Sequence, residues 1–241
     1  NGVILMVTRL SFEMELKELH SELIKMGSLV EESIENTIIA LKRQDVKLAK
    51  RIFTNDDVID DMEQKIERKC LHLIATQQPL AKDLRTIGTA LKIITDMERI
   101  ADHSADIAEI TIRMADEKYI KPLIDIPIMA ELAQNMVKRS LDAYVKQDIQ
   151  LAKEVCSDDD DVDNLFSKIT LELINIVKND PEAMDQVVNF LFIAKYLERM
   201  ADHATNIGEW VVFNVTGEHN HLAEMLHKDD AKRNPFADIE I

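Results

Sequence analysis

Residues 97–103 read Met97-Glu98-Arg99-Ile100-Ala101-Asp102-His103, and residues 197–203 read Leu197-Glu198-Arg199-Met200-Ala201-Asp202-His203. Each copy spaces a Glu and an Asp four apart, with apolar residues between them. On a helix that spacing stacks both carboxylates on one face, a turn apart. The stretch reads as helix, and it reads twice.

The repetition extends outward from it. Gln44-Asp45 followed by Leu48-Ala49-Lys50 returns as Gln147-Asp148 followed by Leu151-Ala152-Lys153, an offset of 103. Asp56 and Asp60 return as Asp159 and Asp163 at the same offset, and Pro79 and Asp83 return as Pro181 and Asp185 at 102. The opening motif repeats at 100, so the second half has lost a few residues near its second turn. An internal duplication is the economical explanation.

Apolar residues give each repeat three helices. Leu16, Leu19, Leu23, Met26, Val30, Ile34 and Leu41 recur at steps of three and four, which predicts a helix from Leu10 to Arg43 with Gly27 inside it. Gln44-Asp45 is a turn and N-cap, and a second helix follows over 46–75, with Asn55-Asp56-Asp57 as a weak spot that could bend it. Thr76-Gln77-Gln78-Pro79 breaks the chain, because Pro is tolerated in a helix's first turn and not in its interior. A third helix runs over 80–115. Three helices of roughly 30–35 residues with short turns make an antiparallel bundle about 50 Å long.

Asp116-Glu117-Lys118, Pro122 and Pro127 mark a linker over 116–127. The pattern restarts at Ile128 and runs to Lys146, opens again at Asp148, breaks at Asn179-Asp180-Pro181, and runs from Glu182 to Val215 before Thr216-Gly217 ends it. The predicted fold is all-α: two tandem antiparallel three-helix bundles, residues 1–121 and 122–217, followed by a polar C-terminal tail over 218–241. His219, His221 and His227 fall in that tail and read as a solvated terminus rather than a metal site.

Composition agrees. Five Gly, five Pro and 5% aromatic residues suit helices better than sheets, and 46% apolar residues are enough for a sizeable core. A formal charge of −16 disfavours nucleic-acid binding and suits cations or basic partner surfaces. Cys70 and Cys156 sit in apolar helical surroundings, as buried free thiols in a reducing compartment would. No uncharged apolar run is long enough to span a membrane, and the apolar Gly2–Val7 stretch is too short for a secretory leader. There is no nucleophile–base pairing, Gly-rich phosphate loop or Cys-x-x-Cys, and no catalytic residue is assigned.

Counting back from the hairpin turns locates what the duplicated carboxylates face. With a turn near 77–78, Glu98 neighbours residue 57 and Asp102 neighbours residue 53; with a turn near 180, Glu198 neighbours 162 and Asp202 neighbours 158. Those neighbourhoods are themselves acidic, holding Asp56 and Asp60 in one half and Asp159 and Asp163 in the other. Like charges brought together need compensation from Arg99 and Arg199, from protonation, or from a bound cation. Carboxylate oxygens suit Mg²⁺, Ca²⁺, Mn²⁺ or iron. A ferritin-type di-iron oxidase would want Glu-x-x-His, whereas Glu98 and His103 are five apart and do not share a face.

The duplicated Glu-Arg-[Ile/Met]-Ala-Asp, the acidic pairs on the preceding helices, and Gln77-Gln78-Pro79 with Asp83-Leu84-Arg85 together resemble the PhoU family of phosphate-transport regulators. The resemblance covers about residues 10–217. Many members carry Gly where this chain has Ala101 and Ala201. The resemblance implies two similar three-helix bundles, often dimeric, and a non-enzymatic cytoplasmic role. It also implies that Asp56, Asp60, Glu98, Asp102, Asp159, Asp163, Glu198 and Asp202 hold metal ions, as iron clusters or another divalent cation. The implied function is to regulate phosphate uptake and repress phosphate-starvation signalling, between the ATPase of a phosphate ABC importer and a sensor histidine kinase. Two alternatives have the same acidic helices: an accessory subunit of another phosphate permease, and a carboxylate-bridged metal enzyme.

Overall fold

In a computed structural model, residues 2–218 are described, with side chains from Leu10 onward. The polar tail beyond Glu218, with His219, His221 and His227, lies outside the described residues. The order is α1 (Gly2–Arg43), α2 (Val46–Gln77), α3 (Ala81–Arg113), α4 (Asp125–Lys146), α5 (Ile149–Asn179), a 3₁₀ turn (Pro181–Ala183) and α6 (Met184–Thr216). These form two tandem antiparallel three-helix bundles, α1–α3 and α4–α6, and the described residues contain no strand. None of the described helices is long and apolar enough to cross a membrane.

Helix ends follow the repeated signals. Asp45 caps α2 by accepting from the Lys47 and Leu48 amides, both at 3.0 Å. Asp148 caps α5 by accepting from the Leu151 amide at 3.1 Å. Before each cap stands a glutamine in the left-handed region, Gln44 at φ 51° and Gln147 at φ 52°. Such a residue past a helix end returns its amide to the last turn. Gly217, at φ +80°, ends α6 in the same way, its amide donating to the Phe213 carbonyl at 2.8 Å.

Three expectations change. Asn55-Asp56-Asp57 does not interrupt α2, which runs unbroken from Val46 to Gln77. Buried Ile52 and Ile59 flank that triplet, and tertiary packing outweighs the poor propensity of short polar residues. Helix α4 starts at Asp125 rather than Ile128, with Pro127 inside its first turn, where a missing amide costs nothing. The connection between the repeats is fastened to both of them. Gln44 Nε2 donates to the Met114 and Glu117 carbonyls, and Tyr119 donates to the Leu41 carbonyl at 2.7 Å. Gln186 accepts from the Ile120 amide and donates to the Lys118 carbonyl.

The two bundles share one core, which draws buried residues from all six helices. Its centre is the antiparallel pair α3 and α6. Thr86 meets Asn214 at 3.2 Å, Asp96 meets His203 at 2.9 Å, and the His103 ring lies 5.3 Å from that of Tyr196. These contacts are disposed evenly about Ile100 and Met200, so the two copies of the repeated motif cross there. Ile100, Ala101, Met200 and Ala201 are buried on the inner faces of that crossing. Gly27 of α1 packs against Leu141 of α4, whose side-chain end would have to shift to admit a Cβ, since the two would stand 2.7 Å apart.

Phe190 is fully buried on α6 and meets the linker's Tyr119 edge-on at 5.3 Å. Truncation of a buried Phe costs about 3–5 kcal/mol. Phe190→Ala is expected to lower the unfolding free energy by that amount in urea titration, and a loss under about 1 kcal/mol would show that the site is not tightly packed.

Candidate metal centre

The first repeat brings Asp56 and Asp60 of α2 against Asp102 of α3, with one carboxylate oxygen from each lying within 4.8 Å of the other two. The i, i+4 spacing on α2 puts both of its aspartates on the face toward α3. Glu98 stands one turn from Asp102 and is held by Arg99, whose Nε lies 3.4 Å from Glu98 Oε2 and whose Nη1 donates to Asp102 Oδ2 at 3.0 Å.

One arginine does not offset this cluster. Burial, then Asp102 and Asp60, push the Asp56 carboxyl up to about 6. Burial, then Asp102, push Glu98 up to about 7, against the pull of Arg99. Asp60 moves up for the same two reasons, and its Oδ1 is buried with no hydrogen-bond partner.

The second repeat assembles its counterpart differently. Asp159 is only 7% exposed, and its Oδ1 is buried without a hydrogen-bond partner. Burial, then Asp163, Asp202 and Glu198, push it up to about 7. Burial and Glu198 also raise Asp202, while Lys195 and Arg199 restrain it. Arg199 is 4.0 Å from Asp202, and Lys195 Nζ takes Glu198 at 2.7 Å from Oε1. All four carboxylates share one electrostatic neighbourhood. Among the described residues, however, only Asp56, Asp60 and Asp102 place three ligand atoms within 4.8 Å of one another.

The partners in the first half differ from expectation by about one helical turn. Asp102 faces Asp56 and Asp60 rather than residue 53, and the charges acting on Glu98 are Glu63 and Asp60 rather than residue 57. Helix α2 continues to Gln77 and the turn is Gln78–Leu80, so the pivot lies later in the chain. The shift brings the acidic pairs more squarely together.

The motif's histidines do not join the carboxylates. His203 Nδ1 lies 2.9 Å from Asp96 Oδ1, which also accepts from Asn206 Nδ2 at 3.3 Å. His103 stacks on Tyr196 and lies 5.8 Å from the His203 ring. Burial, then His203 and Arg199, lower His103 to about 4. Asp96 and Tyr196, which are equivalent under the repeat offset, are absent from the expected set, as are Glu63 and Lys195. The offset of 100 pairs Asp96 with Tyr196 and was the available signal.

A donor set of carboxylate oxygens, with unpartnered buried atoms on Asp60 and Asp159, fits a hard divalent cation. Without one, the raised carboxyls have a thermodynamic signature. A carboxyl whose folded pKa lies above its unfolded value binds its proton more tightly in the native state. Stability therefore falls as pH rises from the unfolded value of about 4 through the folded value. For Asp159 the upper limit is about 7. In chelator, the unfolding free energy is expected to decline across pH 4–7, and Asp159→Asn to flatten the decline; an unchanged slope in that variant would remove Asp159 as its source.

The PhoU domain family model matches this chain twice, over residues 23–111 and 126–211. The phosphate-specific transport system accessory protein PhoU homolog of Clostridium acetobutylicum is 46% identical over 213 residues, covering 88% of this chain and 97% of that protein. The homolog of Aquifex aeolicus is 40% identical over 213 residues, covering 87% and 96%. The crystal structure of PhoU from Pseudomonas aeruginosa superposes with a TM-score of 0.83 at 34% identity, over 86% of this chain and 100% of that one. The phosphate transport system regulatory protein PhoU from Streptococcus pneumoniae gives 0.82 at 28% identity, over 87% and 99%. Matched through both of its repeats and along nearly the full length of these relatives, the chain belongs to the PhoU family.

Proposed function

We propose that this chain is a non-enzymatic, cytoplasmic regulator of phosphate uptake that represses phosphate-starvation signalling. It acts as a cation-dependent adaptor, working as a homodimer between the ATPase of a phosphate ABC importer and a sensor histidine kinase. The observation that supports this reading most is the kinship, over 87–88% of this chain, to phosphate-specific transport accessory proteins, together with the acidic cluster on each repeat.

The cation sites of this reading are Asp56, Asp60, Glu98 and Asp102 in the first repeat, and Asp159, Asp163, Glu198 and Asp202 in the second. A bound divalent cation or iron cluster supplies positive charge to carboxylates that otherwise repel one another. The protein's own residues do the rest. Asp56 and Asp60 present oxygens from α2, Asp102 presents one from α3, and Arg99 orients Asp102 and Glu98 from the side. Neutralising this seam fastens two long helices and fixes the surface they offer to a partner. The overall acidity of the chain suits basic partner surfaces.

Two measurements test the proposal. Deleting the gene is expected to raise a starvation-induced phosphatase in high phosphate, and unchanged phosphatase and phosphate uptake would count against the regulatory role. For the cation sites, Glu98→Gln with Asp102→Asn is expected to lower metal content in the first repeat only, read by elemental analysis. Mn²⁺ at about a hundred times the dissociation constant of the first repeat's site is expected to stabilise the wild-type protein by about 2.7 kcal/mol through that site, a contribution this variant loses.

A further inference from the structure

The two acidic sets occupy equivalent places in the two repeats, so residues that differ around them form an internal comparison. Thr95 in the first repeat corresponds to Lys195, Glu63 to Phe166, and Asp106 to Asn206. Each exchange removes a negative charge from the second repeat or adds a positive one.

The side chains are placed to make these exchanges count. In the first repeat, Thr95 donates to Glu63 Oε1 at 3.2 Å, which adds a fifth carboxylate beside Glu98. The field of Asp106 reaches Asp56. In the second repeat, Lys195 Nζ lies 2.7 Å from Glu198 Oε1 and 2.5 Å from Oε2, and it sits over the Phe166 ring at 5.4 Å. An ammonium over an aromatic face gains a second anchor. Its charge reaches Asp202 as well. Asn206 is neutral and turned to Asp96. What remains is Asp159, deeply buried with an unpartnered Oδ1, beside Asp163 and Asp202. That orphaned oxygen points to a ligand, while Lys195 already donates to one oxygen of Glu198 and pairs its charge.

We propose that the two sites are unequal: Lys195 is a built-in counter-cation that leaves Asp159, Asp163 and Asp202 as a weaker cation site, while the first repeat binds divalent cations first and more tightly. Affinity for a hard cation rises with the number and net charge of its carboxylate ligands. A cation entering the second site has to displace Lys195 or tolerate its charge at close range. The inference rests on the cation reading above and adds an order of filling to it, with Lys195 as the residue that sets it.

Mn²⁺ titration of the full chain, followed by calorimetry and by the loss of the free-ion magnetic resonance signal, tests the proposal. The wild-type protein is expected to show two classes, the second at least about tenfold weaker. Asp56→Asn with Asp102→Asn is expected to abolish the tight class, and Asp159→Asn with Asp202→Asn to spare it. Lys195→Met keeps the stem over Phe166 and removes the charge, and it is expected to tighten the weak class by about tenfold without moving the tight one. Lys195→Thr with Phe166→Glu restores the first repeat's residues and is expected to bring the classes together. Two equal classes in wild type would overturn the proposal, as would loss of the tight class in the Asp159/Asp202 variant. So would a weak class unmoved in both Lys195 variants when circular dichroism shows native helicity. No Mn²⁺ uptake by the wild-type chain would overturn the cation reading itself, and this inference with it.

Discussion

Everything in this molecule hangs on the antiparallel contact of α3 with α6. The same short motif crosses itself there, and it has two separate duties on its two faces. Ile100, Ala101, Met200 and Ala201 turn inward and close the shared core. Glu98, Asp102, Glu198 and Asp202 turn outward to α2 and α5. Because both duties lie on one rigid helical stretch, the packing of the core fixes how near the carboxylates come to their acidic neighbours. The outer helices can be regarded as walls leaning on that central pair.

The acidic seams are a local cost carried by the scaffold. Asp56, Glu98 and Asp159 are all pushed toward neutrality by burial first and by a neighbouring carboxylate second, Asp102 for the first two and Asp163 for the third. Relaxing apart would relieve them, but α2 cannot move away from α3 without exposing Ile59, Ile66, Cys70 and Leu73, all of them buried. Hydrophobic burial thus holds like charges together. Real proteins carry such local conflicts at one or two places and offset them elsewhere in the fold.

Much of this was legible in the sequence, and the limits have physical causes. Helix number, the capping aspartates and the duplication came through because periodicity and local hydrogen-bonding residues act over a few positions. The pairing of α2 with α3 was legible only to about a turn, because it depends on where a three-residue turn pivots. Pro127 misled as a boundary because it sits in the one part of a helix that tolerates it. The eight carboxylates were named from spacing, from counting back from the turns and from the family resemblance, and the structure draws three of them, Asp56, Asp60 and Asp102, into one tight group. His203 on Asp96, His103 on Tyr196 and Lys195 on Glu198 were not legible as contacts. The first two depend on how the repeats pack together. The third depends on a rotamer choice that spacing leaves open.

The reciprocity of the α3–α6 contact has a consequence for how such a molecule can change. Asp96 meets His203 while its counterpart Tyr196 meets His103, so each contact has an image across the crossing. That is the pattern of a two-fold dimer interface with its two copies joined in one chain. In a dimer of identical subunits every substitution is made twice, and any new charge appears on both sides of the axis. Joining the copies in one polypeptide lifts that obligation. Thr95 and Lys195 can then differ, as can Asp96 and Tyr196. Fusion is what allows a symmetric architecture to hold two acidic seams of different character.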